Sequence, residues 1–132
     1  MGKGRDRTLA QARACDRELV LRAQHVYDEW DESDLDTYAG GGICHFIADA
    51  FIEVLQAAGI EASTVCSAFE QHVFVVCRLA DGVYSLDLPY SLYEVGSAYS
   101  WRKIPNVQFT TCDLQWERID TDPNRFDLYL ED

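Results

Sequence analysis

Three residues with the chemistry of a nucleophilic site follow one another through the middle of the chain: Cys44, His72 and Asp87. A cysteine nucleophile needs a base within hydrogen-bond reach and a third group that holds this base in the correct tautomer. Cys44 follows the glycines of positions 40–42 and is predicted to lie in the first turn of a helix. Free backbone N–H groups and the helix dipole favour a thiolate there. His72 and Asp87 are the candidates for the base and for the group that orients it.

The predicted helix that carries Cys44 has one apolar stripe and a natural end. Gly59 is suited to the position just after the last helical residue, because glycine adopts a left-handed backbone conformation at little cost. The side chains of the stripe recur at helical spacing, which predicts a buried face: Ile47, Ala50, Phe51, Val54 and Leu55.

The remaining patterns predict an α+β fold, in which N-terminal helices pack on a small antiparallel sheet. An amphipathic pattern predicts one helix over residues 8–31. The segment 73–77 is apolar at every position, which predicts a central strand covered on both faces. The predicted strands span residues 62–67, 71–79, 83–88 and 114–119, and a short terminal helix starts at Pro123 and runs through Leu130.

The register of one predicted hairpin decides whether His72 and Asp87 can meet. Asp81-Gly82 is a strong signal for a tight turn between two strands. With these residues as the turn, His72 would face position 91, and Asp87 would lie a few residues from direct opposition. A bulge, a longer loop or diagonal reach could still bring the two side chains together.

The order of these motifs resembles the transglutaminase-like branch of the papain-like cysteine hydrolases. The resemblance rests on Gly42-x-Cys44 at a helix start, on His72 and on Asp-Gly-x-Tyr-x-Leu-Asp-x-Pro at positions 81–89. The Gly-Gly-Ile-Cys opening and the segment 87–94 are also similar to small bacterial or phage-encoded proteins. The resemblance implies Cys44 as nucleophile, His72 as general base and Asp87 as the orienting carboxylate.

The length of 132 residues predicts one domain. The resemblance covers residues 40–89 and implies that this domain is papain-like, with its core at 40–89 and a C-terminal elaboration at 90–132. It implies attack on an amide or thioester carbonyl, as in a peptidase, deamidase or transglutaminase. Family members often carry Trp two residues after the histidine, where this chain has Phe74, and no Gln or Trp stands at an oxyanion position before Cys44. Secondary candidates for the oxyanion site and the substrate rim are Tyr38, Gly42, Gln71, Tyr90, Tyr93 and Trp101.

The amino-acid composition limits the binding partners and the cellular compartment that we expect for the protein. The net charge of −12 argues against binding to nucleic acid or to an anionic membrane surface. Five cysteines without C-x-x-C spacing suggest neither a disulfide framework nor a metal site, so a reduced, cytoplasmic protein without cofactor is expected. The substrate would be a protein, a peptide or a small amide, and the oligomeric state stays open. The alternative is an acidic, non-catalytic binding or inhibitor protein of immunity or phage type on a decayed hydrolase fold.

Overall fold

The computed structural model describes residues 7–29, 42–67, 72–89 and 107–130. Its helices are α1 (Leu9–Arg13), α2 (Asp16–Glu29) and α3 (Gly42–Ala57), with a 3₁₀ turn at Thr111–Asp113 and a 3₁₀ helix at Pro123–Leu130. One antiparallel sheet has its four strands in chain order: β1 (Ala62–Ser67), β2 (His72–Leu79), β3 (Gly82–Asp87) and β4 (Gln115–Asp120). This arrangement confirms the predicted α+β class. Within the described ranges, no helix has both the length and the apolar character needed to cross a membrane.

The N-terminal helix predicted over residues 8–31 is two helices in the structure. The Cys15 N–H bonds the Ala12 carbonyl only three residues back, at 3.0 Å, and α2 starts at the next residue. At this start the buried Asp16 carboxylate accepts a hydrogen bond of 3.0 Å from the Trp116 indole. The helix is therefore interrupted next to a residue that contacts a distant strand. The local sequence has no Pro or Gly from which the interruption could be predicted.

The helix α3 has the predicted buried stripe and the predicted end. All five apolar residues of the stripe are buried. Gly59 has a φ of 81°, its N–H bonds the Gln56 carbonyl, and the Ile60 N–H bonds the Leu55 carbonyl, both at 3.0 Å. These two bonds make a Schellman motif, which satisfies carbonyl groups that a helix end would otherwise leave without partners.

The sheet separates a large core from a small one. On one face, α3 packs on β1 and β2, and α2 packs on α3. The large core there includes odd-numbered residues of β2 and even-numbered residues of β3, such as Val75 and Leu86. On the other face, the C-terminal 3₁₀ helix covers a cluster of Val76, Val83 and Phe126. The strand β2 is therefore covered on both sides, as the apolar segment 73–77 predicts.

The turn of the β2–β3 hairpin differs by one position from the prediction. Leu79 pairs with Gly82, so residues 80–81 form the turn and Gly82 belongs to the strand. A Cβ atom on Gly82 would lie 2.2 Å from the Asp120 carbonyl oxygen, so this position needs glycine because β4 passes so close. Extended along the strands, the observed register places His72 opposite position 89 instead of 91, and Asp87 is two residues from direct opposition.

Candidate active site

His72 and Asp87 form a diagonal pair across two neighbouring strands. The His72 Nε2 and Asp87 Oδ2 atoms are 2.7 Å apart. Since side chains alternate along a strand, two residues that differ by two positions from direct opposition share one face. The second carboxylate oxygen, Oδ1, accepts a hydrogen bond of 2.8 Å from the Leu88 N–H. Asp87 is thus held at both oxygens and fixes the orientation of the imidazole ring.

Cys44, on helix α3, contacts the same imidazole ring. It is the third residue of α3, and its side chain forms a hydrogen bond with His72. Because Nε2 is bound to Asp87, the ring nitrogen left for Cys44 is Nδ1. Cys44 is only 6% exposed, and His72 is buried as well. The structure therefore brings together all three residues of the predicted triad, in the order cysteine, histidine, carboxylate.

The electrostatics of the site favour a charged imidazole. Burial lowers the pKa of His72, but hydrogen bonds to Asp87 and Cys44 and the negative charges of both groups outweigh it. The result is a pKa raised from 6.5 to about 10. At neutral pH the ring is therefore an imidazolium, which donates from Nε2 to Asp87 and faces Cys44 with its other N–H.

Phe74 supports the imidazole ring from the same strand. The two rings are stacked, with centroids 6.3 Å apart and planes at 19°. Phe74 packs in turn against the small core beneath the C-terminal 3₁₀ helix. The spacing of two residues along a strand gives a sequence signal for this contact, because such residues share a face. The Leu88 N–H contact to Asp87, by contrast, has no sequence signal, since any residue except proline supplies a backbone donor.

The structure distinguishes Cys44 from the other four cysteines, all of which are also free thiols. Cys77 is fully buried in the large core, and burial raises its pKa to about 12. Burial and the neighbouring Asp16 carboxylate raise the pKa of Cys15. Cys66 and Cys112 are exposed. Among the five cysteines, Cys44 is the one that forms a hydrogen bond with a histidine, which in turn is hydrogen-bonded to a carboxylate.

The remaining site candidates divide into two groups. Gly42 is the first residue of α3. The other rim candidates lie outside the described residues: Tyr38, Gln71, Tyr90, Tyr93 and Trp101. His45, next to Cys44, contacts Asp49 one helical turn away at 3.3 Å. In the described part of the chain, no group of three or more His, Cys, Asp or Glu side chains is arranged to hold a metal ion.

Comparison with known proteins gives no relative. No protein-family model matches the sequence, no curated protein matches it, and no solved structure matches the fold. The resemblance to papain-like hydrolases therefore stays a prediction from the motifs at Gly42–Cys44, His72 and residues 81–89.

Proposed function

We propose that the protein is a thiol hydrolase or acyltransferase that acts on an amide or thioester carbonyl, with Cys44, His72 and Asp87 as its catalytic triad. The support is the chain of hydrogen bonds from Cys44 through His72 to Asp87, with a distance of 2.7 Å in its second link. This is the arrangement of nucleophile, base and orienting carboxylate that thiol catalysis requires.

The first half of the reaction uses the charged pair of Cys44 and His72. The Cys44 thiolate attacks the carbonyl carbon and forms a tetrahedral intermediate. In this mechanism the Cys44 backbone N–H, in the first turn of α3, donates a hydrogen bond to the oxyanion. His72 then gives its proton from Nδ1 to the leaving amine or thiolate. The carbonyl re-forms as a thioester on Cys44.

The second half of the reaction reverses the proton transfer. The neutral His72 takes a proton from water or from an amine, and the activated nucleophile attacks the thioester on Cys44. The intermediate collapses, the Cys44 thiolate leaves, and the imidazolium–thiolate pair is restored. Water as acceptor gives hydrolysis or deamidation, and an amine gives transamidation. Asp87 stabilises the imidazolium in both halves without itself taking the proton.

The competing function is non-catalytic binding by an acidic protein, and the burial of Cys44 is the observation that favours it. A thiol exposed at only 6% offers a substrate little surface. The two functions differ in what they require of Cys44: a catalyst needs a thiolate that reacts at low pH, whereas a binding protein needs none. Thiol reactivity therefore separates them without knowledge of the substrate.

The test is alkylation of each cysteine by iodoacetamide between pH 5 and 9, with the sites quantified by mass spectrometry. At pH 6 a thiol with the ordinary pKa of about 8.5 is almost wholly protonated. We expect Cys44 to react about a hundredfold faster at this pH than Cys66 and Cys112. His72→Ala should abolish the difference. His45→Ala is the matched control, because His45 is adjacent to Cys44 in sequence but outside the triad.

A second measurement connects reactivity to acyl transfer. Incubation with a simple acyl thioester should give an acyl adduct on Cys44, visible in the intact mass, and none in Cys44→Ala.

The alkylation experiment can contradict the proposal. If Cys44 reacts with iodoacetamide no faster than Cys66 at pH 6 in the wild-type protein, the triad has no activated thiolate, and the proposed catalysis is wrong.

A further inference from the structure

A surface groove lies between α2 and α3, away from the candidate active site. Its volume is about 470 Å³, and Val26, Phe46 and Ala50 give it an apolar lining. Phe46 is 43% exposed, although the other face of α3 is packed. Phe46 follows Cys44 by two residues and so points to nearly the opposite side of α3. The triad therefore gives no reason for an aromatic side chain here.

The rim of the groove is acidic. Three carboxylates line it, those of Glu29, Asp49 and Glu53, beside the guanidinium of Arg22 and the imidazole of His25. The Arg22 guanidinium bridges the two helices and contacts Glu53 at 3.1 Å. Glu29 is exposed and has no ion-pair partner among the described residues. The groove thus combines an apolar lining with excess negative charge at its edge.

We propose that this groove binds an amphipathic basic helix of a protein partner. A groove between two packed helices accepts the ridge of a third helix, and apolar anchors one turn apart would enter against Phe46 and Ala50. Lysine or arginine side chains beside these anchors would meet Glu29 and Asp49. The charge of the rim disfavours an acidic helix, because its carboxylates would approach the three carboxylates of the groove.

The charge of the whole chain supports the same partner. A net charge of −12 attracts a basic segment at long range and accelerates its encounter with the groove. Because the groove lies on the side of α3 opposite Cys44, the interaction does not depend on the proposed catalysis. A variant that loses the triad should bind the partner helix unchanged.

The probe for this site is a synthetic helix with leucine on one face and lysine on the other, labelled with a fluorophore. Fluorescence anisotropy measures its affinity for the intact protein, and ¹H–¹⁵N correlation spectra locate the contact. The matching helix of leucine and glutamate tests the role of charge. We expect the lysine helix to bind, with chemical-shift changes concentrated in α2 and α3, and the glutamate helix not to bind.

Two variants and two matched controls separate the groove from general charge attraction. Phe46→Ala should weaken binding about tenfold, as truncation of an anchor does. Leu128→Ala removes an apolar side chain that is 54% exposed elsewhere and should change the affinity less than twofold. Glu29→Lys should also weaken binding several-fold, whereas Glu117→Lys reverses an exposed charge on β4 and should have a smaller effect.

Three results would overturn the proposal. The first is no binding of the lysine helix by the wild-type protein. The second is equal loss in Phe46→Ala and Leu128→Ala, or in Glu29→Lys and Glu117→Lys, which would mean that binding follows total charge or apolar area. The third is a set of chemical-shift changes centred outside α2 and α3. The substituted side chains are exposed or lie at the rim, and unchanged melting temperatures would show that the fold is intact.

Discussion

Two histidine–aspartate pairs occur in the described part of the molecule, and they differ in nearly every physical respect. His45 and Asp49 lie one turn apart on the surface of α3, 3.3 Å from each other, and the His45 side chain is 40% exposed. His72 and Asp87 come from neighbouring strands, are 2.7 Å apart, and the His72 side chain is 6% exposed. Each histidine also has an aromatic neighbour, stacked in the buried pair and edge-on in the exposed pair.

The difference teaches that proximity in sequence does not select the base for Cys44. His45 is the next residue, but one step along a helix turns a side chain by about 100°, so His45 points away from the thiol. His72 is distant in sequence, yet it stands at the start of β2 and forms a hydrogen bond with the Cys44 side chain at the start of α3. Burial then strengthens the interaction, since water and salt weaken charge pairs at the surface.

Removal of the two carboxylates should give the largest contrast between the pairs. Asp87→Ala leaves a buried histidine and the Leu88 N–H without their acceptor, and we expect a loss of roughly 3 kcal/mol in the free energy of unfolding. Asp49→Ala removes an exposed contact and should cost about 0.5 kcal/mol or less. Urea unfolding at pH 7 measures both. Equal losses would mean that burial adds nothing to the His72–Asp87 interaction.

The pH dependence of stability sharpens the same contrast. The pKa of His72 is raised from 6.5 to about 10 in the folded protein, so the folded state binds its proton more tightly than the unfolded state does. This contribution is complete below pH 6.5, falls as the pH rises, and is lost above about pH 10. The stability difference between the wild type and His72→Gln should therefore shrink by on the order of 3 kcal/mol between pH 6 and pH 10.5.

The control for this measurement is His45→Gln, whose stability difference from the wild type should change little over the same range. Titrations of groups that do not contact His72 occur in both proteins and cancel in the difference. A His72→Gln difference that stays constant from pH 6 to pH 10.5 would contradict the raised pKa.

Much of the site could be predicted from the sequence because its signals are local. The glycines before Cys44, the apolar stripe after it and Gly59 at the end define α3 within a few residues. The apolar segment 73–77 defines β2, and His72 stands at its start. The contact of His45 with Asp49 is likewise local, since the two residues lie one helical turn apart. Helix periodicity and turn chemistry each involve only residues within a turn or two of one another.

The errors arise where a distant segment decides the local structure. The Asp81-Gly82 signal places the turn one residue too late, because Gly82 is required by the close approach of the Asp120 carbonyl from β4. The single helix predicted over residues 8–31 is divided beside Asp16, whose carboxylate binds Trp116, one hundred residues later. Neither of these long-range contacts could be predicted from the sequence around Gly82 or around Asp16. The first error matters for the site, since the observed register brings Asp87 closer to His72 than the predicted one.

The aromatic neighbours of the two histidines give the smallest predicted contrast. Phe74→Leu keeps an apolar side chain against the small core but removes the flat surface on which the His72 ring is stacked, and it should cost about 1 kcal/mol of stability. Phe46→Leu changes an exposed ring that meets His45 edge-on and should leave stability within about 0.5 kcal/mol. Urea unfolding gives these values. The rate of Cys44 alkylation at pH 6 shows whether the loss of the stacked ring beside His72 also lowers the reactivity of the thiol. Slower alkylation in Phe74→Leu together with an unchanged rate in Phe46→Leu would assign Phe74 a positioning role. Equal rates in both variants would mean that Asp87 alone orients the imidazole.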